Sequence, residues 1–213
     1  MVHSPGRLAG VRTAWRAVDD GEFFCPGCGG DRSYRLLTGR RRLTVLGVPV
    51  LPRGETGPVV ACSGCDGHYP VAGLEAPTTT RLSALLRDAL HAVALALLAV
   101  GGGDGTAARR TAVESVRAAG FPECSEERLL TLQAALFAEG RTQPDHEVRQ
   151  ALAALTPYLE VPGRVAVLLH GARIAAADGP YRSAERSMLE VIGAALRLPP
   201  AEVERVLAAA TTA

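Results

Sequence analysis

The chain has no lysine: all 23 of its basic side chains are arginine, in a sequence of 213 residues. Together with an excess of alanine and glycine, this matches the coding bias of a GC-rich genome, and it makes any single arginine a weaker sign of phosphate binding. Neither sign of charge dominates. Acids number 22, the net charge is +1, and residues 1–76 hold nine arginines against seven acids. The strong basic footprint of a nucleic-acid-binding module is missing. Aromatic residues make up only 4 %, so alanine, leucine and valine must carry burial, as in a helical bundle with small residues at tight crossings. Uninterrupted apolar runs are short. In the most hydrophobic stretch, Arg81–Val100, the residues Arg87, Asp88 and His91 leave a charge-free run of about ten before the glycines, against the roughly 20 a bilayer span needs. Nothing at the N-terminus resembles a signal peptide, so the expected location is the cytoplasm and disulfides are not expected. There is no Ser/His/Asp arrangement and no phosphate-binding glycine loop. Gly101-Gly102-Gly103-Asp104-Gly105 follows a helix and not a strand, which makes it a poor nucleotide cradle.

Cysteine is scarce but patterned. Four of the five cysteines form two pairs, Cys25-Pro-Gly-Cys28 and Cys62-Ser-Gly-Cys65, each with glycine close behind (Gly29 and Gly30; Gly67). A CxxC turn supplies two thiolates from one short loop, and two such turns facing each other complete a tetrahedral four-sulfur shell for zinc, the plan of a zinc ribbon. Glycine beside the sulfurs lets backbone N–H groups turn toward them and spread their charge. A redox CxxC would open a helix, whereas Gly29-Gly30-Asp31-Arg32-Ser33 is a poor helix start and the second pair would go unexplained. A catalytic zinc keeps one position open, which four cysteines do not. His68 is an alternative ligand, read here as a strand residue. Cys124 is left over; a position near a helix start can lower a thiol pKa, but cap-adjacent packing is the simpler role.

In chain order, residues 1–20 form an N-terminal segment with a helix-compatible stretch around Val11–Val18, in which Trp15 packs against neighbouring structure. Residues 21–75 form the ribbon. The pattern predicts strands at Ser33–Leu37 and Leu43–Val50 with a turn near Gly39, a loop over Arg53–Pro58, a strand at Val59–Ala61 delivering Cys62, and a last short strand at His68–Val71. Arg40-Arg41-Arg42 reads as a solvated hairpin or strand edge. A sheet this small needs the metal for much of its folding energy. Gly73–Thr80 is a linker, with Thr80 capping the next helix. From residue 80 to 213 the chain is expected to be all α, about seven helices: Arg81–Val100, Ala107–Ala119, one opened by Ser125-Glu126-Glu127 and ending near Gly140, one from Pro144, Gly163–Ala177, Ala184–Leu198 capped by Ser183, and a short one after Pro199-Pro200. His91 in the first of these reads as a core or edge histidine.

Asp104-Gly105 and Asp178-Gly179 stand at matching places in two helix–turn–helix units, which predicts a pseudo-twofold repeat of helical hairpins. An acid at a helix C-terminus is unfavourable by about 0.3–1 kcal/mol and calls for compensation. Glu185, seven residues after Asp178, opens the returning helix, and a tight turn can bring the two carboxylates together. Such all-oxygen surroundings suit calcium, magnesium or another divalent cation. The plainer alternative is that Asp-Gly is a common turn pair and Glu185 matches a helix dipole.

The segment Ala172-Arg173-Ile174-Ala175-Ala176-Ala177-Asp178-Gly179-Pro180-Tyr181-Arg182-Ser183-Ala184-Glu185-Arg186 resembles the signature of the TerB family of tellurite-resistance proteins: an apolar helix, Asp-Gly, and a glutamate opening the next helix. The resemblance implies an all-α bundle of two similar halves and makes Asp178 and Glu185 candidate metal ligands. In the first half Thr111 stands where a carboxylate would match Glu185, so a second site around Asp104 is not expected. Leu43–Pro52 resembles the apolar, proline-containing strand of bacterial zinc ribbons, and the combination resembles proteins of high-GC actinobacteria. The implied fold is thus mostly α, a small N-terminal β zinc ribbon followed by a TerB-like bundle. The implied role is non-enzymatic: metal binding within a tellurite- or stress-resistance complex of protein partners, peripheral to a membrane at most and not integral to one. The competing expectation is a nucleic-acid-binding ribbon with a helical regulatory or dimerisation domain, whose binding would depend on Arg40, Arg41 and Arg42 and on salt. A thiol oxidoreductase or metallohydrolase ranks behind both.

Overall fold

The structure is a computed structural model and describes residues 9–45, 48–102, 105–138 and 143–211. The chain divides into two compact units, Met1–Arg81 and Leu82–Ala213.

The first unit is one antiparallel sheet of four strands in the order β1-β2-β3-β4. These are β1 (Ala9–Cys25), β2 (Gly30–Val45), β3 (Val48–Cys62) and β4 (His68–Pro70). Three expectations are corrected here. The Val11–Val18 stretch is strand, pairing along β2 from Val11↔Leu43 to Ala17↔Leu37. Its valines, threonine and tryptophan suit a pleated surface better than a helix. Gly39 makes no turn: it sits mid-strand opposite Trp15, where an added Cβ would lie 2.6 Å from Thr13 Cγ2 and 2.9 Å from the Trp15 ring. The missing side chain is room for the indole, whose ring centroid lies 5.5 Å from that of His68. Residues 53–58 are not a loop but part of β3, reached through register irregularities near Leu37/Gly39, Arg40/Arg42 and Leu43/Thr44, with Gly54 at φ +97°. The prolines of β3, Pro49, Pro52 and Pro58, are tolerated because β4 pairs only with Val59–Ala61, so the rest of β3 is an edge that does not need every N–H. Arg40, Arg41 and Arg42 accordingly lie on the central strand, not an edge, with side chains exposed. Arg40 pairs with Glu55 at 3.4 Å.

A small core of Phe23, Cys25, Val60 and Cys62 gathers where the strands converge. Phe23 meets Tyr34 edge-on at 5.7 Å and Tyr69 at 5.8 Å. Beyond β4 comes a 3-10 turn, Val71–Leu74, and then α1 (Thr79–Val100). The cap of α1 is Thr78, not Thr80: its Oγ1 accepts the Arg81 N–H at 3.2 Å. Asp31, at the start of β2, accepts from the Thr79 N–H at 2.9 Å, the Thr79 hydroxyl and the Thr80 N–H. A carboxylate thus satisfies amides at a helix N-terminus.

The helices that follow are α2 (Thr106–Ala118), α3 (Glu126–Ala138), α4 (Pro144–Leu155), α5 (Val161–Ala176), α6 (Ser183–Ala195) and α7 (Pro200–Thr211), with a 3-10 turn at Thr156–Tyr158. Seven α-helices follow the sheet among the described residues, as expected. Gly140, where α3 was expected to end, lies outside the described residues. The last helix has 12 residues and supplies Val203, Val206 and Leu207 to the core. By length and mean hydropathy (1.7) alone, α1 does qualify as a membrane span, contrary to the expectation. In the structure its Val93–Leu98 stretch is buried in the helical core. Small residues set the crossings. A Cβ on Gly171 of α5 would lie 3.1 Å from Val93 and 3.2 Å from Leu97 of α1, and one on Gly193 of α6 would lie 2.5 Å from Val203 of α7. Close backbone approach replaces large side chains in a core poor in aromatics.

Hydrogen bonds from the first turn of α1, those of Thr79 before all, hold the Asp31 carboxyl below its ordinary pKa. Its contribution to stability is therefore complete above the unfolded value of about 3.9 and is lost as pH falls through the lower folded value. Thermal melts of Asp31→Ala against the parent should show a lower Tm at pH 7, with the gap closing below about pH 3.

Candidate metal centre

The two CxxC turns sit at the closed ends of adjacent strand pairs. Cys25 ends β1 and Cys28 lies in the turn to β2, while Cys62 ends β3 and Cys65 lies in the turn to β4. The β2–β3 register sets Tyr34 beside Cys62 and so brings the two turns face to face. All four Sγ atoms lie within 4.8 Å of one another. The Cys25–Cys65 separation is 3.8 Å and the Cys28–Cys62 separation 3.9 Å. A disulfide needs about 2.05 Å, and all five cysteines are free. Zinc–thiolate bonds of about 2.3 Å in a regular tetrahedron place sulfurs about 3.8 Å apart, which these two separations match. The four thiols are a candidate structural metal site, and together they would close the shell of one bound ion. His68 stays out of it, packed on Trp15.

The surroundings are built to receive negative charge. Gly64 N–H donates to Cys62 Sγ at 3.3 Å. The Tyr69 hydroxyl lies 3.4 Å from Cys25 Sγ and 3.5 Å from Cys65 Sγ, placed to donate to either sulfur once it ionises. Burial pushes the Cys25 thiol up, but the Tyr69 hydroxyl, the Cys28 backbone N–H and the neighbouring thiols outweigh it and bring the value down to about 6. Cys28 is pushed up to about 12 by burial and by the other three thiols. The Tyr69 hydroxyl and the Gly67 N–H draw Cys65 down. Hydrogen bonding to the Cys25 and Cys65 sulfurs in turn pushes Tyr69 up. Without a cation the four sulfurs compete for charge; a divalent ion removes the competition by taking all four as thiolates.

Tyr69 is the residue that sequence reasoning missed, and it also explains which glycines matter. A Cβ on Gly27, inside the first pair, would collide with the Tyr69 hydroxyl, and one on Gly67 would stand 2.8 Å from it. A Cβ on Gly64 would crowd Arg32 at 3.1 Å and Cys28 Sγ at 3.3 Å. The available signal was a tyrosine four residues beyond the last cysteine, paired with a glycine inside each CxxC.

The acidic pair lies in the second unit. Asp178 is exposed in the turn after α5, and Glu185 is buried in the first turn of α6. Glu185 Oε2 accepts the Arg182 N–H at 2.8 Å. Arg182, not Ser183, is therefore the N-cap residue of α6, and Glu185 closes the cap. Both acids face the turn after α1. Glu185 Oε1 would meet a Cβ on Gly101 at 2.8 Å, Asp178 Oδ2 lies tightly against Gly105, and the Arg182 guanidinium donates to the Gly101 carbonyl. Asp178 thus lies against Gly105, the described half of the first Asp-Gly pair singled out in the sequence; Asp104 is outside the described residues. Among the described residues, the four cysteines are the one group of three or more candidate ligands clustered closely enough for an ion. Cys124 is buried, and burial raises its pKa, the reverse of a helix-start activation.

A closed four-thiol site on an antiparallel sheet, followed by a helical bundle, defines a metal-site β module of zinc-ribbon form joined to an all-α domain. The profile of the family described as tellurite resistance protein TerB matches residues 87–208, more than half of the chain, and the chain belongs to that family. No curated protein and no solved structure gives a significant match.

Tyr69→Phe should keep the fold and lower metal affinity about 10- to 100-fold, the usual cost of losing a partner behind a ligand. Competition with a chromogenic chelator measures it. Gly27→Ala, which forces the same hydroxyl aside, should fall in the same direction.

Proposed function

We propose that the protein is a non-enzymatic, metal-binding interaction protein of the TerB type, acting in the cytoplasm with protein partners of a tellurite- or chemical-stress-resistance complex. The observation that carries this reading is the clustering of the Cys25, Cys28, Cys62 and Cys65 sulfurs within 4.8 Å of one another ahead of a TerB domain. Zinc is the ion that best suits four thiolates at single-ion spacing. With the shell full, the metal holds structure and leaves no position for substrate. In the helical domain Asp178 and Glu185 offer oxygen donors suited to calcium, magnesium or another hard divalent cation. Cation binding there would set how α5 and α6 present their surface to a partner.

The exposed arginine run on β2 favours a second reading, a nucleic-acid-binding ribbon with a helical regulatory domain. Arg40 is already paired with Glu55, and the ribbon's excess of two positive charges is offset once four thiolates hold a divalent ion.

Elemental analysis of the purified full chain should give one zinc per chain, lost in Cys28→Ser and Cys62→Ser together with the ribbon's protection from proteolysis. Zinc below half an equivalent under reducing conditions would defeat the reading. In a separate test, calcium or magnesium should raise the Tm of the parent, and Asp178→Ala or Glu185→Gln should abolish the rise. The glutamine keeps the oxygen that accepts the Arg182 N–H. Salt-sensitive oligonucleotide binding that disappears on replacing Arg40, Arg41 and Arg42 by glutamine would favour the second reading instead.

A further inference from the structure

Among the described residues the sheet has two long open edges: β1, and the part of β3 beyond its short pairing with β4. An open edge offers unpaired N–H and C=O groups to any other chain, and proteins blunt it with proline, irregularity or charge. The β3 edge is blunted in this way. It carries Pro49, Pro52 and Pro58, Gly54 at φ +97° and three register irregularities. By contrast, the 17 residues of β1 include no proline and none at positive φ. The strand breaks register with β2 once, between Ala17 and Asp19. Residues 10–22 are exposed except for the half-buried Thr13.

Charge is divided along this edge. Arg12 and Arg16 stand before the break, and Asp19, Asp20 and Glu22 after it. The neighbouring strands repeat the division. Residues 9–18 and 37–58, the end away from the cysteines, hold six arginines and one acid, whereas residues 19–36 and 59–76 hold two arginines and six acids. No ion pair among the described residues engages Arg12, Arg16, Asp19, Asp20 or Glu22. Arg12 instead stands directly opposite Arg42 of β2, and like charges so placed are destabilising. A nucleic acid or an acidic lipid surface would match the basic end and be repelled by the acidic one. A second copy of the same edge, running the other way, matches both ends at once. Antiparallel pairing sets positions equally far from a twofold axis beside each other. An axis near Trp15 and Arg16 therefore brings Arg12 of each copy level with Asp19 and Asp20 of the other. The exposed Val11, Trp15 and Val18 supply apolar contact across the seam.

We propose that β1 is a dimerisation edge, which pairs antiparallel with β1 of a second copy and joins the two four-stranded sheets into one. The partner is recognised by the reversed order of charge along a single strand. The arrangement puts the two cysteine centres at opposite ends of the joined sheet, and it uses neither the cysteines nor the Asp178–Glu185 pair.

The test is sedimentation equilibrium of the full chain as purified, at about 100 μM. The parent should be dimeric at about 50 mM salt, with its Kd rising at least about tenfold at about 500 mM. Arg12→Glu with Arg16→Glu makes the edge acidic throughout, and Asp19→Arg with Asp20→Arg makes it mostly basic. Each double variant alone should be monomeric, its Kd raised at least about 100-fold, with no loss of Tm. An equimolar mixture of the two should associate again. Backbone amides of residues 10–18 should exchange hydrogen more slowly in the parent and in the mixture than in either variant alone. A monomeric parent, a dimer indifferent to both double variants, or a mixture that fails to associate would overturn the proposal. So would a monomeric parent that binds single-stranded DNA or phosphatidylglycerol vesicles through Arg12 and Arg16, since those arginines would then serve a polyanion.

Discussion

Four sulfurs within 4.8 Å of one another are a charge problem before they are a structure. As thiols they fill a space too small for four independent ionisations, and their uneven titration, one near 6 and another near 12, shows the competition. As thiolates around a divalent ion they become the strongest set of contacts in the first unit. Around them the apolar cluster of that unit consists, among the described residues, of Phe23, Val60 and the two inner cysteines, too little apolar surface to outweigh the entropy of ordering so many strand residues. The long strands, the glycines inside each CxxC and the hydroxyl of Tyr69 all make sense as parts that bring and keep those sulfurs at tetrahedral spacing.

The helical unit solves the stability problem differently. It has an ample core, assembled from leucine, valine and alanine, with glycines at the closest crossings. Tight backbone approach recovers through packing density what the sequence forgoes in aromatic area. The same economy has a local cost. Where alanines of α1 and α4 line one side of the bundle, the described residues leave volume unfilled, and the buried His91 Nε2 has no hydrogen-bond partner among them.

The acidic turn shows how one side chain can serve structure and chemistry together. Glu185 closes the start of α6 through the Arg182 N–H, while its other oxygen and the Asp178 carboxylate crowd the glycines after α1. Those glycines are small because the carboxylates occupy the space beside them. Membership of the TerB family accounts for the bundle. The fit of Asp178 against Gly105 and of Glu185 against Gly101 gives that bundle a physical seam.

By itself the sequence determined which four cysteines cluster and that helices follow the sheet, because these depend on spacing, period and punctuation that act over a few residues. It misled where one residue type has two uses. Gly39 reads as a turn but makes room for Trp15, and Arg53–Pro58 reads as loop but continues an edge strand. Ser183 and Thr80 read as caps, yet Arg182 with Glu185, and Thr78, do that work. Tyr69 as a bridge between two sulfurs, Asp31 as a clasp on α1 and His91 as an unpaired donor beside a groove were decided only by the tertiary structure. Each depends on which distant atoms pairing and packing bring within hydrogen-bond range, and no local pattern encodes that distance.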